Sequence, residues 1–166
     1  MKTSLLQKLR DRTAVIGVVG LGYVGLPLLL RYSEVGYKVI GFDLDRFKID
    51  TLSRGRSYTE HISHSVVQEA IERGGEITDE FSRVCEVDAL IFCVPTPLTK
   101  SREPDLSCVF DAVERVLPYL RAGQVVSLES TTYPGTTDEE LRPRIESSGL
   151  RVGKDIFLVY SPERED

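Results

Sequence analysis

The sequence predicts an α/β fold: a doubly wound parallel sheet of six strands with helices on both faces, in a single domain. Three observations predict it. Short runs rich in Val, Ile and Phe alternate with helical stretches along the chain. Those runs are continuously apolar rather than alternating, as strands buried on both faces are. The first run opens into a glycine-rich turn followed by an apolar helix.

Taken in order, Leu5, Leu6 and Leu9 sit at helical spacing, so residues 3 to 11 predict a short helix packed on the domain. The strands expected are Val15–Val19, Lys38–Asp43, Ala89–Val94, Val125–Leu128 and Ile156–Tyr160, with Glu76–Thr78 a weaker sixth. Leu106, Val109, Phe110, Val113, Val116, Leu117 and Leu120 recur on one helical face, with Asp105 as the N-cap and Gly123 as the stop. Ser65 with Gln68, and Thr137 with Glu140, fit the capping-box pattern. Gly55 and Gly74 stand where helices end. Parallel strands joined by helices impose right-handed crossovers, and six in this order suggest the Rossmann-type dinucleotide fold. Residues 1–13 are expected to form an arm and residues 14–166 the domain proper.

Composition excludes several classes. A chain of 166 residues with 41% hydrophobic and 28% charged residues is globular, not disordered. Its net charge of −5 and scattered Lys and Arg argue against nucleic acid or an anionic membrane as partner. The uncharged stretch Ala14–Leu30 is interrupted by glycines and Pro27 and is shorter than a spanning helix; no cleavage site follows it. Cys85, Cys93 and Cys108 have no C-x-x-C spacing, which opposes a zinc site or a disulfide framework and suits a reducing, cytoplasmic setting.

The chemistry concentrates after the first strand. Gly20-Leu21-Gly22-Tyr23-Val24-Gly25 is a G-x-G-x-x-G turn. Gly20 permits the tight exit, Gly22 leaves room for a pyrophosphate against the backbone, and Gly25 lets the helix approach the strand. Amides at the helix start bind phosphate charge. The second strand ends in Asp43, whose carboxylate suits the adenosine ribose hydroxyls and repels a 2′-phosphate, so the expected cofactor is NAD and not NADP.

Other candidates are weaker. Cys93 has apolar neighbours and is expected to be an inert buried thiol, and Cys85 and Cys108 to be structural. His61 and His64 are three apart, but no further ligands complete a metal site, so a loop role is expected.

These residues resemble the nucleotide-sugar dehydrogenase family that includes the UDP-glucose and GDP-mannose dehydrogenases. The segments that carry the resemblance are 17–27, Gly41-Phe42-Asp43-Leu44-Asp45, Cys93-Val94-Pro95-Thr96-Pro97, Glu129-Ser130-Thr131-Thr132-Tyr133-Pro134-Gly135 and Ser161-Pro162-Glu163-Arg164. Ser57-Tyr58-Thr59-Glu60-His61-Ile62 and Arg102-Glu103-Pro104-Asp105-Leu106 resemble the branch acting on UDP-N-acetylhexosamines.

The resemblance implies that Gly22, Tyr23 and Val24 lie on the NAD pyrophosphate, and Asp43 and Lys48 at the ribose. Val94, Pro95 and Thr96 would line the groove, and Thr131 and Thr132 approach the nicotinamide. It further implies that Thr132 helps position a catalytic water and that Glu163 stands at the active-site edge. The family oxidises a sugar primary alcohol to a carboxylate with two NAD, through a cysteine-bound intermediate. This sequence has no Gly-Gly-x-Cys-x-Pro-Lys-Asp segment. It is thus expected to be the cofactor domain alone, inactive by itself, without the dimerisation and UDP-binding domains; the full-length enzyme would be a homodimer. Two alternatives remain: a non-catalytic nucleotide-binding module, or a fragment of a 6-phosphogluconate or 3-hydroxyacid-type dehydrogenase.

Overall fold

The computed structural model describes residues 2–100, 102 and 104–162. Six strands form one parallel sheet: β1 (Val15–Val19), β2 (Lys38–Phe42), β3 (Glu76–Thr78), β4 (Ala89–Phe92), β5 (Val125–Leu128) and β6 (Phe157–Tyr160). Their order is β3-β2-β1-β4-β5-β6, and every pairing is parallel. The chain winds outward in both directions from the β1–β4 pair. The connections leaving these two strands run to helices on opposite faces of the sheet, so a crevice opens at their carboxyl edge.

The helices are α1 (Lys2–Arg10), α2 (Gly25–Glu34), α3 (Arg46–Ser53), α4 (His64–Glu72), α5 (Ser107–Val116) and α6 (Arg142–Glu146). Alternate strand residues divide the core in two. Ile16, Val18, Val39 and Ile91 join Leu26 and Leu29 of α2 and Val67 of α4 on one face. Val19, Phe42, Leu90, Phe92 and Leu128 join Val109 and Val113 of α5 and Ile145 of α6 on the other. Gly17 makes room for this second layer, since a Cβ there would stand 3.0 Å from Leu90 and Val87 and 3.2 Å from the Phe42 ring.

The expected strands are present, with trimmed ends. β2 stops at Phe42 because the Asp43 carboxylate accepts from the Leu44 and Asp45 amides and turns the chain. Burial on both faces holds for β2 after Lys38 and for β4, but β6 is an edge strand with Val159 and Tyr160 exposed. The helix expected to run to Leu120 ends at Val116 and tightens into a 3₁₀ turn over Leu117–Tyr119, where Pro118 has no amide to donate. Asp105 does accept from the Ser107 amide at 2.9 Å, as a capping residue would.

Neither capping box forms. α4 starts one residue before Ser65, and Gln68 donates to Glu72 instead. Residues Thr136–Leu141 form a single wide π turn, in which Thr136 donates to the Tyr133 carbonyl and Glu140 pairs with Arg144.

Below the sheet, at the edge away from the crevice, polar groups hold the elements together. Gln124, fully buried, donates to the carbonyls of Val84 and Val87 and accepts from the Arg121 amide. Asp88 is 4% exposed and accepts from Lys8 at 2.8 Å, Arg121 at 3.0 Å and the Val15 amide at 3.1 Å. Tyr37 donates to the Leu9 carbonyl, and Leu5 is buried, so α1 is tied to the domain at several points.

Burial pushes the Asp88 carboxyl up, but the Lys8, Val15 and Arg121 hydrogen bonds outweigh it and hold the group below the usual aspartate range. A carboxyl depressed on folding stabilises above its unfolded value, about 3.9, and that stabilisation is lost as pH falls through the folded value. Asp88→Asn is expected to lower stability by about 3 kcal/mol near pH 7. The gap from wild type in urea midpoint should close below about pH 4. A gap that is unchanged at pH 3 would show that the charge of Asp88 is not what binds α1 and β1 to β4.

Candidate functional site

The crevice holds two clefts that meet at the glycine turn. The larger encloses about 760 Å³ and is lined by Gly22, Tyr23, Val24, Tyr58–His61, Thr96 and Glu129–Thr131, among others. The smaller encloses about 270 Å³ and lies between Gly20, Asp43, Leu44 and Phe81 on one side and α5 on the other. Gly22, Lys48, Cys93, Val94 and Pro95 line both. A two-ended ligand that spans both clefts crosses beside Gly22, one of the five residues that line both.

The turn is built for that crossing. Gly20 has φ +89, and a Cβ on it would stand 2.7 Å from the Cys93 carbonyl oxygen. A Cβ on Gly25 would lie 1.8 Å from the Gly20 oxygen. Around Gly22 nothing lies within 4 Å of the Cβ position. Gly20 and Gly25 are thus demanded by the fold itself, whereas Gly22 faces open space that a ligand can use. The amides of Gly22, Tyr23 and Val24 have no partner among the described residues, and α2 has no side-chain cap. Unpaired amides at a helix start present positive charge to an anion.

Asp43 lines the smaller cleft. Its carboxylate accepts from Leu21 N at 2.8 Å, Leu44 N at 2.8 Å, Asp45 N at 2.9 Å and Lys48 Nζ at 3.3 Å. The three amides fix its orientation, and Lys48 is the one side-chain donor among the four. Tyr58 reaches across from the segment between α3 and α4 and donates to the Leu21 carbonyl. The Leu21 peptide is therefore held at its amide by Asp43 and at its carbonyl by Tyr58. Burial, helped by the Asp43 and Asp45 charges, pushes the Tyr58 hydroxyl up to about 12, so it remains a donor across neutral pH.

The sequence-predicted residues fall as follows. Gly20, Gly22, Tyr23, Val24, Asp43, Lys48, Val94, Pro95, Thr96 and Thr131 line one or both clefts. Gly25 lies beneath the turn rather than at the surface of either cleft. Thr132 lines neither; its hydroxyl is buried without a partner, and its amide meets the Tyr160 hydroxyl at 3.4 Å. Glu163 lies outside the described residues.

Cys93 is buried at 8% exposure, as expected, but contributes to the wall of both clefts. Cys108 lines the smaller cleft and is half-exposed. His64 accepts from the Ser57 amide at 2.9 Å, and His61 lies on the larger cleft's wall. No metal-binding group of three acidic, His or Cys side chains occurs among the described residues.

Sequence reasoning gave no site role to Tyr58, Glu60, Glu129, Phe81, Asp111 or Arg115. Glu129 carried a signal, since it follows β5 directly and carboxyl strand ends face the site in this fold. Its carboxylate accepts from Ser127 at 2.6 Å. Tyr58 carried none, because its contact with Leu21 joins residues 37 apart.

A family model described as the UDP-glucose/GDP-mannose dehydrogenase family, NAD binding domain, matches residues 14–166. The chain belongs to this family. It is 39% identical over 150 residues to a UDP-N-acetyl-D-glucosamine 6-dehydrogenase of Pseudomonas aeruginosa, covering 90% of this chain and 35% of that protein. It is 37% identical over 160 residues to a UDP-N-acetyl-D-mannosamine dehydrogenase of Escherichia coli K12, covering 91% and 37%. Among solved structures, an NDP-N-acetyl-D-galactosaminuronic acid dehydrogenase from Methanosarcina mazei superposes with TM-score 0.85 at 33% identity, covering 98% of this chain and 37% of that one. A 3-hydroxyisobutyrate dehydrogenase from Mycobacterium tuberculosis, at TM-score 0.62 and 19% identity over 92% of this chain and 41% of that one, shares the fold. The chain spans about a third of the length of the curated relatives it matches.

The cofactor of the family domain is NAD. The site fits it: an open cradle at Gly22, unpaired amides at a helix start and a carboxylate at the end of β2 suit its pyrophosphate and ribose. Among the described residues no helix is long and apolar enough to cross a membrane. The glycines separate fold from function. Gly25→Ala should destabilise the domain by about 3 kcal/mol or more through overpacking. Gly22→Ala should alter stability by under about 1 kcal/mol. Its NAD dissociation constant should nonetheless rise about tenfold, at a cost of about 1.4 kcal/mol. Calorimetric titration beside urea unfolding checks both; unchanged NAD affinity in Gly22→Ala would remove Gly22 from the crossing point.

Proposed function

We propose that this chain is the cofactor-holding part of an NAD-dependent dehydrogenase that oxidises the primary alcohol of a UDP-N-acetylhexosamine to a uronate. Such products are building blocks for surface polysaccharides, and the enzyme works in the cytoplasm. The observation that carries the cofactor half of the reading is the junction of two clefts over Gly22, flanked by Asp43. The sugar half is supported by relatives named for UDP-N-acetylglucosamine and UDP-N-acetylmannosamine.

When bound, NAD supplies the hydride acceptor for an alcohol oxidation. This chain's residues hold and orient it. The Gly22–Val24 amides take the pyrophosphate. Asp43, with Lys48 beside it, would take the adenosine ribose hydroxyls. The larger cleft receives the nicotinamide and the reacting end of the sugar. There Thr96 and Thr131 line the wall, and Glu129, held by Ser127, offers a carboxylate at the end of β5. Thr132 would help to position a catalytic water, and Glu163 would contribute a hydrogen-bonding carboxylate.

The cysteine on the cleft wall, Cys93, is packed under the glycine turn and is no nucleophile. On this reading the 166 residues bind cofactor without turning substrate over. The complete enzyme adds the nucleophile and the UDP-binding part, and acts as a homodimer.

Titration of the chain with NAD and with NADP tests the cofactor half. NAD should bind, and NADP should bind at least about tenfold more weakly, because the 2′-phosphate meets the Asp43 carboxylate. Equal affinity for the two, or a preference for NADP, would overturn the assignment of Asp43 and favour a 6-phosphogluconate-type relative.

A further inference from the structure

α5 presents two opposite charges to the smaller cleft. Asp111 and Arg115 stand four residues apart, both exposed, and both line its wall. An acid four residues ahead of a base is the favourable order for a helical ion pair. The chain uses that order elsewhere, in Glu69–Arg73 and Glu140–Arg144, at 3.0 and 2.9 Å. Asp111 and Arg115 do not pair with each other, and neither side chain has a hydrogen-bond or ionic partner among the described residues.

The opposite wall of the cleft carries Gly20, Asp43 and Leu44, so a ribose held by Asp43 directs its base toward α5. Phe81, Val94 and Ala112 give the cleft apolar walls suited to a flat ring. At about 270 Å³ it has room for one base with its sugar, while the larger cleft has room for two reacting groups.

Adenine fits this arrangement by its edge. Its exocyclic amine is a donor and the neighbouring ring nitrogen an acceptor. A carboxylate accepts and a guanidinium only donates. A 6-oxo purine places an acceptor where adenine has its amine, and that oxygen would face the carboxylate.

Resting on the cofactor reading above, we infer that Asp111 and Arg115 discriminate the base of the cofactor: Asp111 accepts from the adenine amine and Arg115 donates to a ring nitrogen beside it. Neither residue touches the reacting end, so both set affinity and base selectivity alone.

The test is calorimetric titration of the chain with NAD, NADP and nicotinamide hypoxanthine dinucleotide, which carries a 6-oxo group in place of the amine. Wild type should bind NAD about five- to tenfold tighter than the hypoxanthine form, the range of one hydrogen bond to an exposed charged group. In Asp111→Asn that ratio should fall to about two, because the amide can donate to the oxo group. Arg115→Ala should weaken NAD more than the hypoxanthine form, because the ring nitrogen beside a 6-oxo group carries a hydrogen and cannot accept from the guanidinium. Both positions are exposed, so the variants should unfold at the wild-type urea midpoint.

A wild-type ratio near one, or a ratio unaltered by Asp111→Asn, overturns the inference while leaving NAD binding intact. An Arg115→Ala variant that loses affinity for NADP and not for NAD makes Arg115 a phosphate contact, and also overturns it. A folded wild-type chain that binds none of the three overturns the cofactor reading and this inference together.

Discussion

The backbone contact between the end of β1 and the start of α2 governs the functional end of this molecule. Gly25 lies so close to Gly20 that a single added carbon would overlap its carbonyl oxygen, and Gly20 in turn abuts the Cys93 carbonyl at the end of β4. Only hydrogen at these two α-carbons allows helix, turn and neighbouring strand to meet. That meeting aims the start of α2 over the crevice, brings the Gly22 amide to the junction of both clefts, and sets Leu21 where Asp43 and Tyr58 can hold it. The helix dipole then acts on the one place where the sheet opens.

The opposite edge of the sheet does different work. Asp88 and Gln124 are buried polar groups, and each has its hydrogen bonds met by elements distant in sequence. A buried carboxylate is costly unless paired, and here the pairing joins α1, β1 and the turn before β5. The carboxyl edge, in contrast, carries unpaired amides, the Lys48–Asp43 ion pair and two charges on α5 without partners among the described residues. These are local costs of a kind that a stable frame can carry at a binding site.

Much of the fold was legible because the local signals agreed with one another. Continuous apolar runs gave the strands, and their alternation with helices implied the parallel order that the sheet has. The misread elements were those where two rules competed. Ser65 and Thr137 matched a capping pattern in sequence, but nearby side chains took their partners: Glu72 took Gln68, and Arg144 took Glu140. Apolar helical spacing continues past Pro118 to Leu120, but the missing Pro118 amide ends the α-helical pattern at Val116.

At the site, sequence alone determined the glycine turn, the acid at the end of β2 and the segments after β4 and β5, because each follows directly from a strand end. Which faces those residues present, the tertiary structure decided. Thr131 lines the cleft while the hydroxyl of the adjacent Thr132 is buried. Tyr58, Asp111 and Arg115 reach the clefts from elements far along the chain, by crossovers whose spatial end points no local pattern encodes. Sequence specified the backbone turn that receives a phosphate, since glycine's freedom is a local property. The walls around it come from long-range packing, which exists only once the sheet has formed.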